Sequence, residues 1–531
     1  MAYAPFFAAE ARSTIDGSSR CALSLPIMNP TRNGLRLVGA FLALWLAAHP
    51  SSSWGQSRPA TVPVGPEQAA AAMQQVVPVV VSPPKPIFDP RTYGAKADGV
   101  TYDTLALQKA IDACAGTGGT VYLAGGRFLS AQLTLKGGLT FYVEKDATLL
   151  GGVEAADYPE LLPANTLATG NRRSLLYADS ANGLILDGTG VIDGQGKLVK
   201  MSGKETQRPS LLRIFHSNDV IVRNLTLTNP RMWTDVYIEC NNLLIDHLNV
   251  LSPAVNGPNL DGMDICDCHD VIIRNCRIES DDDSICLKSY GQPGLKNILA
   301  ENNIIRSTGA NGIKLGSATA GPVSNIRLFN NTVLGATFGG ICIESVDGSP
   351  VSDITVRGLD LYKVCQPIFI RVAHRTDGPG ELPPSGKVLQ VPQGSIDGVT
   401  IERVRALGTQ TGTRASCSIT AVPGATLKNI TLTDCYFEMP GGINTIPADP
   451  GEKAGVYPQS NLFGDTPAWG FYVRHAQAVA FDRVSIGRYR PDARPWLTSV
   501  DADVKTTDTR DLKQVSPTPI PPESSIRNAD H

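Results

Sequence analysis

The sequence predicts an all-β fold, a single-stranded right-handed parallel β-helix with an N-terminal capping helix, on three observations. The first is a repeat. Units such as "NDVIVRNLTLTN" from Asn218, "HDVIIRNCRIES" from His269 and "KNITLTDCYFEM" from Lys428 return along the chain. Their first apolar residue falls at 220, 243, 271, 298, 326, 354, 399 and 430, and most steps are 23 to 31 residues, the period of a solenoid. The second is alternation: each unit is a short strand of alternating apolar residues, a polar corner that often carries Asn, and a second strand. The third is that one segment alone, Asp103 to Ala115, has a strong helical pattern. The β-branched alternation excludes helical repeats, and the missing consensus leucine frame excludes leucine-rich repeats. Parallel coils stacked at about 4.8 Å would bury one continuous core.

The elements follow in order. Residues 1–55 read as upstream sequence and a signal peptide: Arg32 and Arg36, an apolar run from Leu37 to Ala48, and small residues at Ser53 and Gly55. Residues 56–87, rich in Pro, Ala and Val, read as a linker. Order is expected from Phe88. The helix has Asp103 as N-cap, Leu105, Leu107, Ile111 and Cys114 as its apolar residues, and Gly116 beyond its end. A β-stack has open ends that need cover, and this helix is the natural N-terminal cap. The coils run to about Ile486, giving a β-helix domain at 88–487, and 488–531 is polar and Pro-rich, read as a C-terminal tail.

Net charge is -3 with charged residues at 18%, so neither a nucleic-acid-binding basic field nor an acidic tail is present. The apolar run near the start is too short for a membrane span, and the mature chain is expected to be secreted or periplasmic, without membrane contact, and a monomer. Ten cysteines follow the signal; Cys240, Cys266, Cys276, Cys286, Cys342 and Cys365 sit in apolar strand-like runs, which favours buried thiols over a disulfide framework. "CDCHD" around Cys266, Cys268 and His269 lacks a second pair at zinc spacing, so no metal is assigned there.

The chemistry gathers on two coils. In "IESDDDSICLKS" three carboxylates stand in a row, and Asp261 and Asp264 of "GPNLDGMDI" lie one coil earlier, Asp261 being 21 and 22 residues ahead of Asp282 and Asp283. Strict alternation would split the three, so a bend or bulge is expected there. Clustered carboxylates with divergent pKa values suit acid-assisted glycosidic cleavage. Composition alone leaves catalysis, a calcium site and a solvated corner equally open.

With "NLDG" (Asn259 to Gly262), the Asp282–Asp283 pair and "NGIKLGS" (Asn311 to Ser317), the chain resembles glycoside hydrolase family 28, the polygalacturonase family of pectin-degrading β-helix enzymes, over most of 88–486. The opening "YGAKADGVTYDT" with "GGTVYLAGGRF" is similar to the start of many carbohydrate-active β-helices. The resemblance implies Asp282 as general acid, Asp261 and Asp283 activating water, an inverting single displacement without metal or other cofactor, and an acidic plant-type polysaccharide as substrate. It implies that Asn259 positions a carboxylate or a sugar hydroxyl. Like charge should raise the pKa of Asp282, and a separation of about 6.5 to 9.5 Å would admit the attacking water.

Two departures stand out. Asn311 occupies the place of a family histidine, and "CIES", with Cys342 and Glu344, replaces the Arg-Ile-Lys that binds a galacturonate carboxylate. Compensating substrate contacts are expected from Lys288, Lys314, Arg371 and Arg375, with Trp233 and Tyr237 as candidate stacking platforms or buried aromatics. Homogalacturonan and rhamnogalacturonan are both candidate substrates. A β-elimination lyase or uronate epimerase using calcium, and a non-catalytic glycan-binding β-helix, are the alternatives.

Overall fold

The computed structural model describes residues 83, 85–160, 173–201, 208–254, 257–375, 393–410 and 416–519; the signal and nearly all of the linker lie outside these. Every strand pairing among them is parallel, and each strand between the ends of the stack pairs with its counterpart one coil before and one coil after. Three rows of strands run up the stack. The row through Asp235–Ile238, Met263–Cys266, Ile285–Ser289 and Ile313–Thr319 carries the site.

The register confirms the repeat. Val220, Leu243, Val271, Ile298, Ile326, Ile354, Val399 and Ile430 are successive partners in one row. Their side chains stack inward and are almost wholly buried. The polar corners have a backbone cause: Asn275, Asn302 and Asn330 take positive φ at equivalent places, and so do Asn242, Asp270, Asn297 and Asn325. Asn and Asp tolerate that conformation better than other non-glycine residues. A buried pair of asparagines closes one corner internally. Asn303 Oδ1 accepts from Cys276 N at 3.0 Å, and Asn331 Oδ1 accepts from Asn303 N at 3.0 Å.

The helix spans Thr104–Cys114 and buries Ala106, Leu107, Ala110, Ile111 and Cys114 against the first coils. Asp103 occupies the N-cap position as expected, and one expectation about the apolar stripe is corrected. Leu105 is 78% exposed, because the buried stripe runs through the alanines instead. Asp103 does not cap the helix with its carboxylate, which accepts from the backbone N–H groups of Lys96 and Ala97. At the other end the stack passes Ile486: Leu497–Thr507 and Arg510–Gln514 add a further coil, so the expected tail is strand up to Gln514. Alternating Val500, Ala502 and Val504 supply its inward residues, a pattern masked in sequence by the charged residues between them.

All ten cysteines of the described region are buried thiols, as their apolar contexts imply. No helix among the described residues is long and apolar enough to cross a membrane.

Candidate active site

Outward-facing positions of the site row bring the charged residues together. Asp264, Cys286, Lys314 and Cys342 are successive partners, and Lys288 stands beside Cys266. The three-acid run falls in the turn between Arg277–Ser280 and Ile285–Ser289. The main-chain oxygen of Asp282 is held there by the hydroxyls of Ser280 (2.8 Å) and Ser307 (2.7 Å). This bend turns Asp282 and Asp283 to the same side, while Asp281 accepts from Thr308 Oγ1 at 2.7 Å. Gly262, after Asp261, is required by packing: a Cβ there would lie 2.5 Å from Ile278 Cγ2 and from Ser284 O.

A cleft of about 270 Å³ results, lined by Asp261, Asp282, Asp283, Asn259, Asn311, Lys288, Lys314 and Arg375 among others. One carboxylate oxygen from each of Asp261, Asp282 and Asp283 lies within 4.8 Å of the other two. Asp283 is the most strongly fixed. Asn311 donates to its Oδ1 from the side chain (2.7 Å) and the backbone (3.2 Å), and Lys314 Nζ stands 3.2 Å from Oδ2. Asn311 is fixed in turn by accepting from Gly339 N (2.7 Å) and Cys342 Sγ (3.2 Å). Asn259, at φ 57°, is held by the buried Arg208, which donates to its Oδ1 at 2.7 Å.

The electrostatics separate the acids. Burial, and then the adjacent Asp283, push Asp282 up to about 7, against the pull of Lys314 and Lys288. Like charge was the expected cause; desolvation is the larger one. Burial, with Asp264 and Asp282 beside it, also raises Asp261 well above the usual carboxylate range. Asp282 and Asp261 are therefore both biased toward their protonated forms.

Lys288 is 3.0 Å from Asp264 and 3.7 Å from Asp261, with its ammonium 3.6 Å from the centre of the Trp233 ring. For Lys314, burial would lower the pKa, but Asp283, Tyr457 and Glu344 together hold it well above the ordinary lysine value. Arg375 forms a two-pronged pair with Asp347, at 2.9 and 2.5 Å.

One expected substrate contact falls elsewhere. Arg371 does not line the cleft: it is fully buried beside Glu344 in the register, donates to Glu452 O at 2.6 Å, and packs its guanidinium on Phe463. The segment around Glu452 and Phe463 covers it, which the repeat pattern could not announce. Tyr237 faces the core and donates to Asp235, whereas Trp233 lines the cleft. Tyr457 and Gln459 also line the cleft and were not expected; they come from the non-repetitive segment after Gly442, where no periodic signal marks them. Tyr457 accepts from Ser317 Oγ at 2.7 Å. Glu344 lies beneath the lining, fully buried, and its position fixes Gly316, where a Cβ would sit 2.7 Å from Glu344 Oε2.

A larger hollow of about 580 Å³ near the last coils is lined by His475, Asp501 and Asp503. Both ring nitrogens of His475 are engaged there, by Asp501 at 2.6 Å and Glu452 at 3.0 Å, which ties the Glu452 segment to the stack. It has no counterpart of the three-acid grouping, so the chemistry is assigned to the cleft.

The model of glycosyl hydrolases family 28 matches residues 120–441. The chain belongs to this family. A second model, rhamnogalacturonase A/epimerase, pectate lyase-like, matches residues 88–143, the opening coils. Relatives include a Vitis vinifera protein named "Probable polygalacturonase", 29% identical over 258 residues, 44% of this chain and 52% of that one. The exo-poly-alpha-D-galacturonosidase of Dickeya chrysanthemi is 27% identical over 300 residues, 45% of this chain and 49% of that one. The matched part spans about half the length of these curated relatives. The β-helix of this family 28 chain also resembles the exopolygalacturonases of Yersinia enterocolitica (TM-score 0.58, 20% identity, 81% of this chain and 79% of that one) and Thermotoga maritima (0.60, 18%, 79% and 96%).

Proposed function

We propose that this family 28 chain hydrolyses glycosidic bonds of a pectic polysaccharide, with Asp282 as the general acid. The observation that carries the reading is the acid triad itself: three carboxylates within 4.8 Å, of which Asp282, with a pKa near 7, can hold a proton for the leaving oxygen. Asp283, approached by two N–H donors of Asn311 and the Lys314 ammonium, is suited to accept a proton from water. Asp261, the third acid of the group, is assigned to orienting that water. The names of the relatives, polygalacturonase and galacturonosidase, support the substrate class.

The reaction proposed is a single displacement with inversion. The oxygens lie closer together than the roughly 6.5 to 9.5 Å carboxyl separation usual for inverting enzymes, so the stereochemistry rests on the family resemblance and needs its own measurement. Proton NMR of the first-formed product should show the inverted anomer. The chain is proposed to act after export, on the strength of Arg32, Arg36 and the apolar run that follows.

A calcium-assisted lyase would need the acid cluster to hold a hard cation and a basic side chain to take a ring proton. The ammonium groups of Lys288 and Lys314 already stand against these carboxylates, and Lys314, held well above its ordinary value, is a poor base. The deciding assay reads reducing ends and near-ultraviolet absorbance together on pectic polymers, with and without chelator. Reducing ends without absorbance, unchanged by chelator, are expected. Absorbance that rises with cleavage would mean an unsaturated product and would remove Asp282 from the acid role.

A further inference from the structure

We infer, resting on the hydrolase reading above, that the sugar seated over Lys314 bears no free carboxylate: it is a methyl-esterified uronate or a neutral sugar. The chemistry shared by the two is a ring without negative charge at that place.

The argument is one of charge. A uronate entering the cleft meets Asp261, Asp282 and Asp283 in the lining. Each cation lining the cleft among the described residues is already set against an acid of the protein: Lys288 against Asp264 and Asp261, Lys314 against Asp283, Arg375 in a two-pronged pair with Asp347. Below them Glu344 adds a further carboxyl group, fully buried, which burial pushes up to about 7, so it is only partly ionised at neutral pH. Where it is ionised it acts on Lys314, and its partner in the next coil, Arg371, is turned away under the Glu452 segment. Taking Lys288 or Lys314 for a substrate carboxylate would leave a buried protein carboxylate without its counter-charge, a costly exchange in a desolvated cleft, and taking Arg375 would break its two-pronged pair with the half-buried Asp347. A ring with a hydroxyl, methyl or ester group in that position demands no such exchange. Specificity arises here from what the cleft repels.

The test compares initial rates of reducing-end formation by the full chain on three polymers: de-esterified polygalacturonate, highly methyl-esterified homogalacturonan and the rhamnogalacturonan backbone. A rate on one of the latter two at least about tenfold above that on polygalacturonate, equivalent to about 1.4 kcal/mol, is expected. The faster polymer identifies whether ester or neutral sugar is the source. Equal or faster cleavage of polygalacturonate would overturn the inference while leaving the hydrolase reading standing. Cleavage of none of the three would overturn both. Assayed at pH 7, where Glu344 is partly ionised, Glu344→Gln removes that charge with little change of volume and should narrow the preference severalfold; Glu344→Lys should narrow it further if it folds. A preference unchanged in Glu344→Gln would overturn the role given to the charge beneath the cleft.

Discussion

The acid role of Asp282 has consequences that single residues can test. Asp282→Asn keeps size and removes the proton, so kcat on any cleaved polymer should fall by about 10²- to 10⁴-fold with binding retained, read by initial rates and by ligand titration. Because Asp282 must be protonated, activity in the native chain should decline as pH rises through about 7. The same shift predicts a stability change. The native state holds the proton to about pH 7 while the unfolded chain releases it near 3.8, so this stabilisation is complete below the unfolded value and is lost as pH rises through the folded one. Asp282→Asn has no such proton to lose, and above pH 7 its melting temperature should equal or exceed that of the native chain. A steeper loss in the variant would contradict the assignment. At this scale the sequence already displayed most of the site. Asp261, Asp282, Asp283, Asn259 and Asn311 could be found because a chain motif at coil spacing brings them together. Arg371 was misplaced because a residue on an outward row can be covered by a distant segment that has no repeat.

Elements are held by rows rather than by isolated contacts. The inward row through Val271, Ile298 and Ile326 could be read from a period of apolar positions, since each coil must present the same face to the same core. The corners were half legible: Asn was visible there, but two different duties were hidden in it. Asn302 supplies a positive φ, whereas Asn303 is buried and answers backbone groups of the neighbouring coils. Asn303→Ala would leave Cys276 N and Ile273 O without that partner, and should cost about 1 to 3 kcal/mol in equilibrium denaturation. Asn302→Ala should act only through backbone strain and cost less. The helix shows the converse limit. Its position was readable from period, but which stripe it buries depended on small alanines that fit closely against the first coils, and Leu105 was left outside.

For the whole stack, the end matters most. Trp496 packs edge-on against Phe481 at 5.7 Å, and Arg488 lies over Trp469 at 4.9 Å. Ending the chain after Ile486 would remove Trp496 and Arg488, uncover Phe481 and Trp469, and leave the outer backbone edge of Phe471–Asp482 unpaired. Such a truncation should lower the melting temperature and scatter light on heating. The sequence by itself determined the coil period, the inward row, the buried state of the cysteines and the gathering of the three acids, because stacking neighbours makes a spacing along the chain into a distance in space. Only the tertiary structure decided which cations reach the cleft, that Tyr457 and Gln459 enter it, that Glu344 lies beneath it, and where the last coil ends. Those depend on segments outside the repeat and on burial, and neither leaves a periodic trace in the order of residues.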